Sequence, residues 1–83
     1  MITLSEYQDI EHLEENRKVF LEAHAITGVI ELDLAKVERI DGAGAQLILS
    51  FLKEEEENCK EVKLNNFSPA VKEAFRLLGI EQS

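Results

Sequence analysis

Cysteine, positive charge and long apolar runs are all scarce in this chain, and each scarcity removes a class of function. The one cysteine, Cys59, has no partner for an internal disulfide and no companions for a zinc site built on thiolates. Nine Lys and Arg residues stand against seventeen Asp and Glu, which gives a net charge of −8 and a pI near 4.6. A surface of that sign repels nucleic-acid phosphates and anionic lipid headgroups, whereas a basic patch on another protein would be attracted to it. No nucleic acid and no direct membrane binding are therefore expected. No stretch approaches the roughly 20 apolar residues that cross a bilayer, and the first residues carry no cleavable-signal pattern, so the expected compartment is the cytoplasm. There is no linker, no internal repeat, and no low-complexity stretch beyond a glutamate run at 54–57.

What is present describes a globular chain: 45% apolar and 31% charged residues in 83, enough for a single domain over 1–83 and no second one. A chain this short buries only about 60–65% of its unfolded surface, so the core is thin and a deep pocket for a bulky cofactor is not expected. Met1-Ile2-Thr3-Leu4 is a short strand candidate ended by Ser5. Ser5 or Asp9 could cap a helix over about 10–24, in which Ile10, Leu13, Arg17, Phe20, Leu21 and His24 gather on one face and Glu11, Glu14, Glu15 and Lys18 on the other. After Gly28, Ile30, Leu32 and Leu34 alternate with Glu31 and Asp33, a strand signature. Val37 and Ile40 carry the apolar signal across a turn at Ala35-Lys36.

Asp41-Gly42-Ala43-Gly44 follows, with Asp41 an N-cap candidate for a second helix whose Leu47, Ile48, Phe51 and Leu52 fall at helical spacing. That helix is expected to fray into Glu54, Glu55, Glu56 and Glu57, since carboxylates at a helix end oppose its dipole. Glu61-Val62-Lys63-Leu64 alternates as a third strand, and Asn65-Asn66 turns the chain. Ser68 caps and Pro69 opens a third helix whose inner face is Val71, Ala74, Phe75 and Leu78, ended by Gly79. The order strand, helix, strand, helix, strand, helix predicts an α/β domain with a mainly parallel sheet.

The segment after Ile40 is the end of a strand and the start of a helix, where ligands of alternating α/β domains tend to bind. As a phosphate cradle it is weak: the glycine spacing is not that of a dinucleotide site, no Gly-Lys-Ser/Thr follows, and Asp41 would repel the anion. The two glycines imply special backbone geometry or a close approach by something else. A bare helix start against which a partner can lie is a further reading. Elsewhere the chemistry is thin. His24 reads as a dipole partner or a partly buried ring, His12 as a surface residue, Cys59 as an inert thiol and the glutamate run as a solvated face. Phe20, Phe51, Phe67 and Phe75 read as core or near-core. No enzyme, metal site or cofactor emerges from these residues.

The run Ile30-Glu31-Leu32-Asp33-Leu34, then Val37, then Ile40-Asp41-Gly42-Ala43-Gly44, resembles the core motif of STAS domains, the anti-sigma factor antagonists and their relatives. Asn66-Phe67-Ser68-Pro69-Ala70-Val71, followed by Leu78-Gly79-Ile80, resembles the last strand-turn-helix unit of the same family, so the likeness runs from about Val29 to Ile80. The resemblance implies a small mixed or parallel sheet with about three helices on one side, and a non-enzymatic switching role. It places partner contact at the start of the second helix: Asp41, Gly42, Ala43, Gly44, Gln46 and Leu47. In the family a Ser or Thr usually follows the aspartate and is phosphorylated by a kinase of the histidine-kinase-like ATPase fold. Here Gly42 and Ala43 hold those positions, and neither has a hydroxyl. Ser50 is expected inside the helix and Ser68 as a cap. Ala45 stands where a larger aliphatic residue is usual, and the opening strand region is shortened.

The expected function is thus a protein-docking module in bacterial signal transduction, always competent to bind a kinase, anti-sigma factor or chemotaxis protein. The alternative is a cytoplasmic accessory subunit that docks on the ATPase of a lipid-transporting ABC system. An acyl carrier fits the size and charge but needs a serine at the helix start, which Gly42 and Ala43 deny.

Overall fold

A computed structural model describes residues 1–79. Ile80, the last residue of the second resemblance motif, lies outside the described residues. The strands are β1 (Ile2–Thr3), β2 (Tyr7–Gln8), β3 (Ile30–Asp33), β4 (Arg39–Ile40) and β5 (Val62–Asn65). The helices are α1 (Leu13–His24), entered through a 3-10 turn at Ile10–His12, α2 (Gly42–Glu57) and α3 (Pro69–Leu77).

β1, β3 and β5 form one sheet in that order, and both pairings are parallel. The register sets Ile2 beside Leu32, Leu32 beside Leu64 and Ile30 beside Val62, so these residues share a face. Phe20 and Ala23 of α1, Ile48 and Phe51 of α2, and Val71 and Phe75 of α3 join Ile30, Leu32 and Leu34 in one core against that face. The rings of Phe20 and Phe51 meet at 4.9 Å between centroids, a pair worth about 0.5–1.5 kcal/mol beyond the area it buries. On the opposite face Thr3, Glu31 and Lys63 are exposed. Parallel sheets are usually covered on both faces, and the period-2 alternation of β3 is the reason this one is not.

β2 and β4 make a second, two-stranded parallel pair, with Tyr7 beside Arg39 and Gln8 beside Ile40. The expected element order lacked both. Strands of two residues are too short to show a period. They are held by the Glu6 carbonyl, which accepts from the Glu38 and Arg39 amides at 2.8 and 3.1 Å, and not by their composition.

The inner face of α1 also differs from the expected one. Asn16, Phe20 and Ala23 are its buried residues, while Ile10 and Leu21 are 67% and 65% exposed and Arg17 lies outside. A buried polar network sets this rotation. Asn16 Nδ2 donates to the Tyr7 carbonyl at 2.9 Å, and Asn16 Oδ1 accepts from Ser5 Oγ at 2.9 Å and Gln8 Nε2 at 3.3 Å. Turning Leu21 inward would leave these buried groups without partners, at about 1–3 kcal/mol each. Leu78, expected on the inner face of α3, caps that helix and is exposed. The cap residues Asp9 and Ser68 behave as expected: Asp9 Oδ1 accepts from the His12 amide at 3.1 Å and Ser68 Oγ from the Val71 amide at 3.2 Å.

Candidate functional site

The start of α2 is built around Asp41. Its extended backbone directs the side chain over the first turn, where Oδ1 accepts from the Gly44 amide at 2.9 Å. Oδ2 accepts from the Ile10 amide at 3.1 Å, and the Asp41 amide donates to the Gln8 carbonyl at 3.2 Å. Both carboxylate oxygens are therefore engaged by backbone, and Asp41 joins the entries of α1 and α2. A free anion would meet this carboxylate before the helix dipole, which disfavours a phosphate at this turn.

The two glycines have different causes, and neither has a positive φ. A Cβ on Gly44 would lie 1.7 Å from the Gln8 carbonyl oxygen, so Gly44 is the place where β2 closes on α2. The close approach implied by the sequence is made by the chain itself, and Gly44 is buried. A Cβ on Gly42 would meet nothing within 4 Å. Internal packing gives no reason for glycine there. Gly42 and Gln46 are exposed, Ala43 is half-buried, and Leu47 is half-buried against the core. Of the six residues the resemblance assigned to contact, only Gly42 and Gln46 are exposed; Asp41, Ala43 and Leu47 are half-buried, and Gly44 is buried where β2 closes on α2. Ser50 lies exposed within α2 and Ser68 is buried as a cap, as expected.

α1 and α2 run side by side in the same direction and are tied again at their far ends. His24 Nδ1 pairs with Glu55 Oε1, Lys60 Nζ stands 3.7 Å from Glu55 Oε2, and Lys60 Nζ donates to the His24 carbonyl at 2.6 Å. Glu55 is 0% exposed, which corrects the reading of the whole glutamate run as a solvated face. The signal was there: Glu55 falls four residues after Phe51 and seven after Ile48, on the buried stripe of α2. Glu54, Glu56 and Glu57 are exposed. His24, read as a dipole partner or a partly buried ring, is exposed, with its side chain 46% accessible, and its ring pairs with Glu55 at the last turn of α1.

Near the N-terminus Tyr7 stacks on His12 at 5.2 Å and Arg39 lies 5.7 Å over the Tyr7 ring. His12 Nδ1 is 2.6 Å from Asp9 Oδ1. This hydrogen bond raises the His12 pKa above its ordinary value and lowers that of Asp9. A shallow depression of about 530 Å³ opens beside them, lined by Thr3, Tyr7, His12, Glu15 and Lys36 among others. Its charges are mixed and converge on no one point. Among the described residues no group of three or more His, Cys, Asp or Glu is placed to hold a metal ion, and no helix is long and apolar enough to cross a membrane.

One layer of helices on a short parallel sheet, with a glycine-bearing helix start held open to solvent, defines a small α/β domain of the interaction type. The family described as "Mlab, STAS domain" matches the chain over residues 1–82, and the chain belongs to the STAS domain family. Members are generally non-enzymatic binding modules of a regulatory kind. No curated protein and no solved structure gives a significant match.

Proposed function

We propose that this domain is a non-enzymatic docking module of bacterial signal transduction, and that it binds a histidine-kinase-like ATPase, an anti-sigma factor or a chemotaxis protein through the start of α2. The observation that supports the reading is Gly42: a glycine at the exposed start of a helix, costing helix propensity, with no internal neighbour that would exclude a side chain. A partner backbone lying against Gly42 and Ala43 supplies the missing reason. Gly42 and Ala43 also carry no hydroxyl, so phosphorylation at the usual position cannot release the partner. Docking is then not switched at that position.

The same observation favours a second reading, in which the domain is a standing subunit on the ATPase of a lipid-transporting ABC system. A subunit that stays bound has no use for a phosphate switch.

Affinity capture of the tagged chain from its native cytosol, beside the Ala43→Arg variant, tests both. The variant is expected to fold cooperatively and to lose the partner, because an arginine on a half-buried position of the contact surface holds the partner away. Recovery of a kinase-fold or chemotaxis protein supports the signalling role, and recovery of a transporter ATPase moves the function to lipid traffic. Equal capture by both forms would place the docking surface elsewhere.

A further inference from the structure

We draw no further inference here: the strongest candidate, the apolar groove between α1 and α2 where the exposed Leu21 borders Phe20 and Phe51, is flanked by Arg17, His24 and Glu54 in mixed charge, and nothing in the structure shows what covers it.

Discussion

Gly42 and Gly44 stand two residues apart in one helix turn, and adding a single methyl group to each should move stability in opposite directions. At Gly44 the new Cβ would lie 1.7 Å from the Gln8 carbonyl oxygen and 2.4 Å from its carbon, where ordinary contact begins at 3.4 Å. Those atoms are backbone, so no side-chain rotation relieves the clash; β2 or the first turn of α2 must move by well over an ångström. Overpacking of this kind costs about 1–3 kcal/mol. The move also strains the bond from the Asp41 amide to the Gln8 carbonyl, at 3.2 Å, with about 1 kcal/mol at stake. Gly44→Ala is thus expected to cost about 2–4 kcal/mol, a large part of the about 4–12 kcal/mol that a chain of this length commands. Gly42→Ala meets nothing within 4 Å and should stabilise by a few tenths to about 1 kcal/mol through helix propensity. Urea denaturation followed by circular dichroism at the helix band reads both. With a slope of about 1 kcal/mol per molar, the Gly44→Ala midpoint should fall by about 2–4 M and that of Gly42→Ala should rise slightly. Two small shifts of the same sign would refute the close approach of β2, and with it the assignment of Gly42 as the one glycine the fold leaves unexplained.

Two further predictions follow from hydrogen-bond geometry. The His12–Asp9 pair raises the pKa of His12 from 6.5 and lowers that of Asp9 from 3.8, mainly through their side-chain hydrogen bond. The stability it contributes is therefore complete between those values, is lost as pH rises through the raised His12 value, and is lost again as pH falls through the lowered Asp9 value. An NMR titration should place the His12 midpoint above 6.5, and Asp9→Asn should bring it back toward 6.5; a midpoint already at or below that value in the native chain would contradict the pair. Asp41→Asn keeps an oxygen for the Gly44 amide but turns an NH2 toward the Ile10 amide, which then has no acceptor. Hydrogen exchange at Ile10 should quicken by about fivefold, as expected for about 1 kcal/mol, with Gly44 unchanged; equal effects at both amides would mean that Asp41 does not join the two helix entries.

The sheet strands, the three helices and the caps were legible because each is written in local terms: alternation at Ile30, Leu32 and Leu34, helical spacing from Leu47 to Leu52, and a Ser68-Pro69 start. The rotation of α1 was not. Its apolar residues fall on a broad arc, and the choice of which part faces inward is made by Asn16, through partners at Ser5, Tyr7 and Gln8 that lie 8 to 11 residues away. Glu55 was misplaced for a related reason. In a run of four identical residues, charge masks the periodicity, and the groups that make its burial tolerable, His24 and Lys60, come from other segments of the chain. Asp41 was recognised as a cap, but its second bond, to Ile10, bridges 31 residues and leaves no local trace. Of the residues proposed for docking, the exposed character of Gly42 and Gln46 and the hidden role of Gly44 become distinct only when β2 is in place.

The ties at the two ends of the helix pair bear on how such a surface would work. Asp41 fixes the entry of α2 to the entry of α1, and Glu55, with His24 and Lys60, fixes the exits. A pair held at both ends cannot widen or close its groove without breaking a bond to a carboxylate, which costs more than a bond between neutral groups. The proposed docking face is thereby pre-organised, and a partner would lose little affinity to ordering it. The resemblance implies that, where a hydroxyl follows the aspartate, phosphate would supply a switch by placing charge on that face. Where Gly42 and Ala43 remove the hydroxyl, that position cannot carry the switch, and on the proposed docking role any control by phosphate would have to act elsewhere, at a hydroxyl such as the exposed Ser50 of α2 or on the partner.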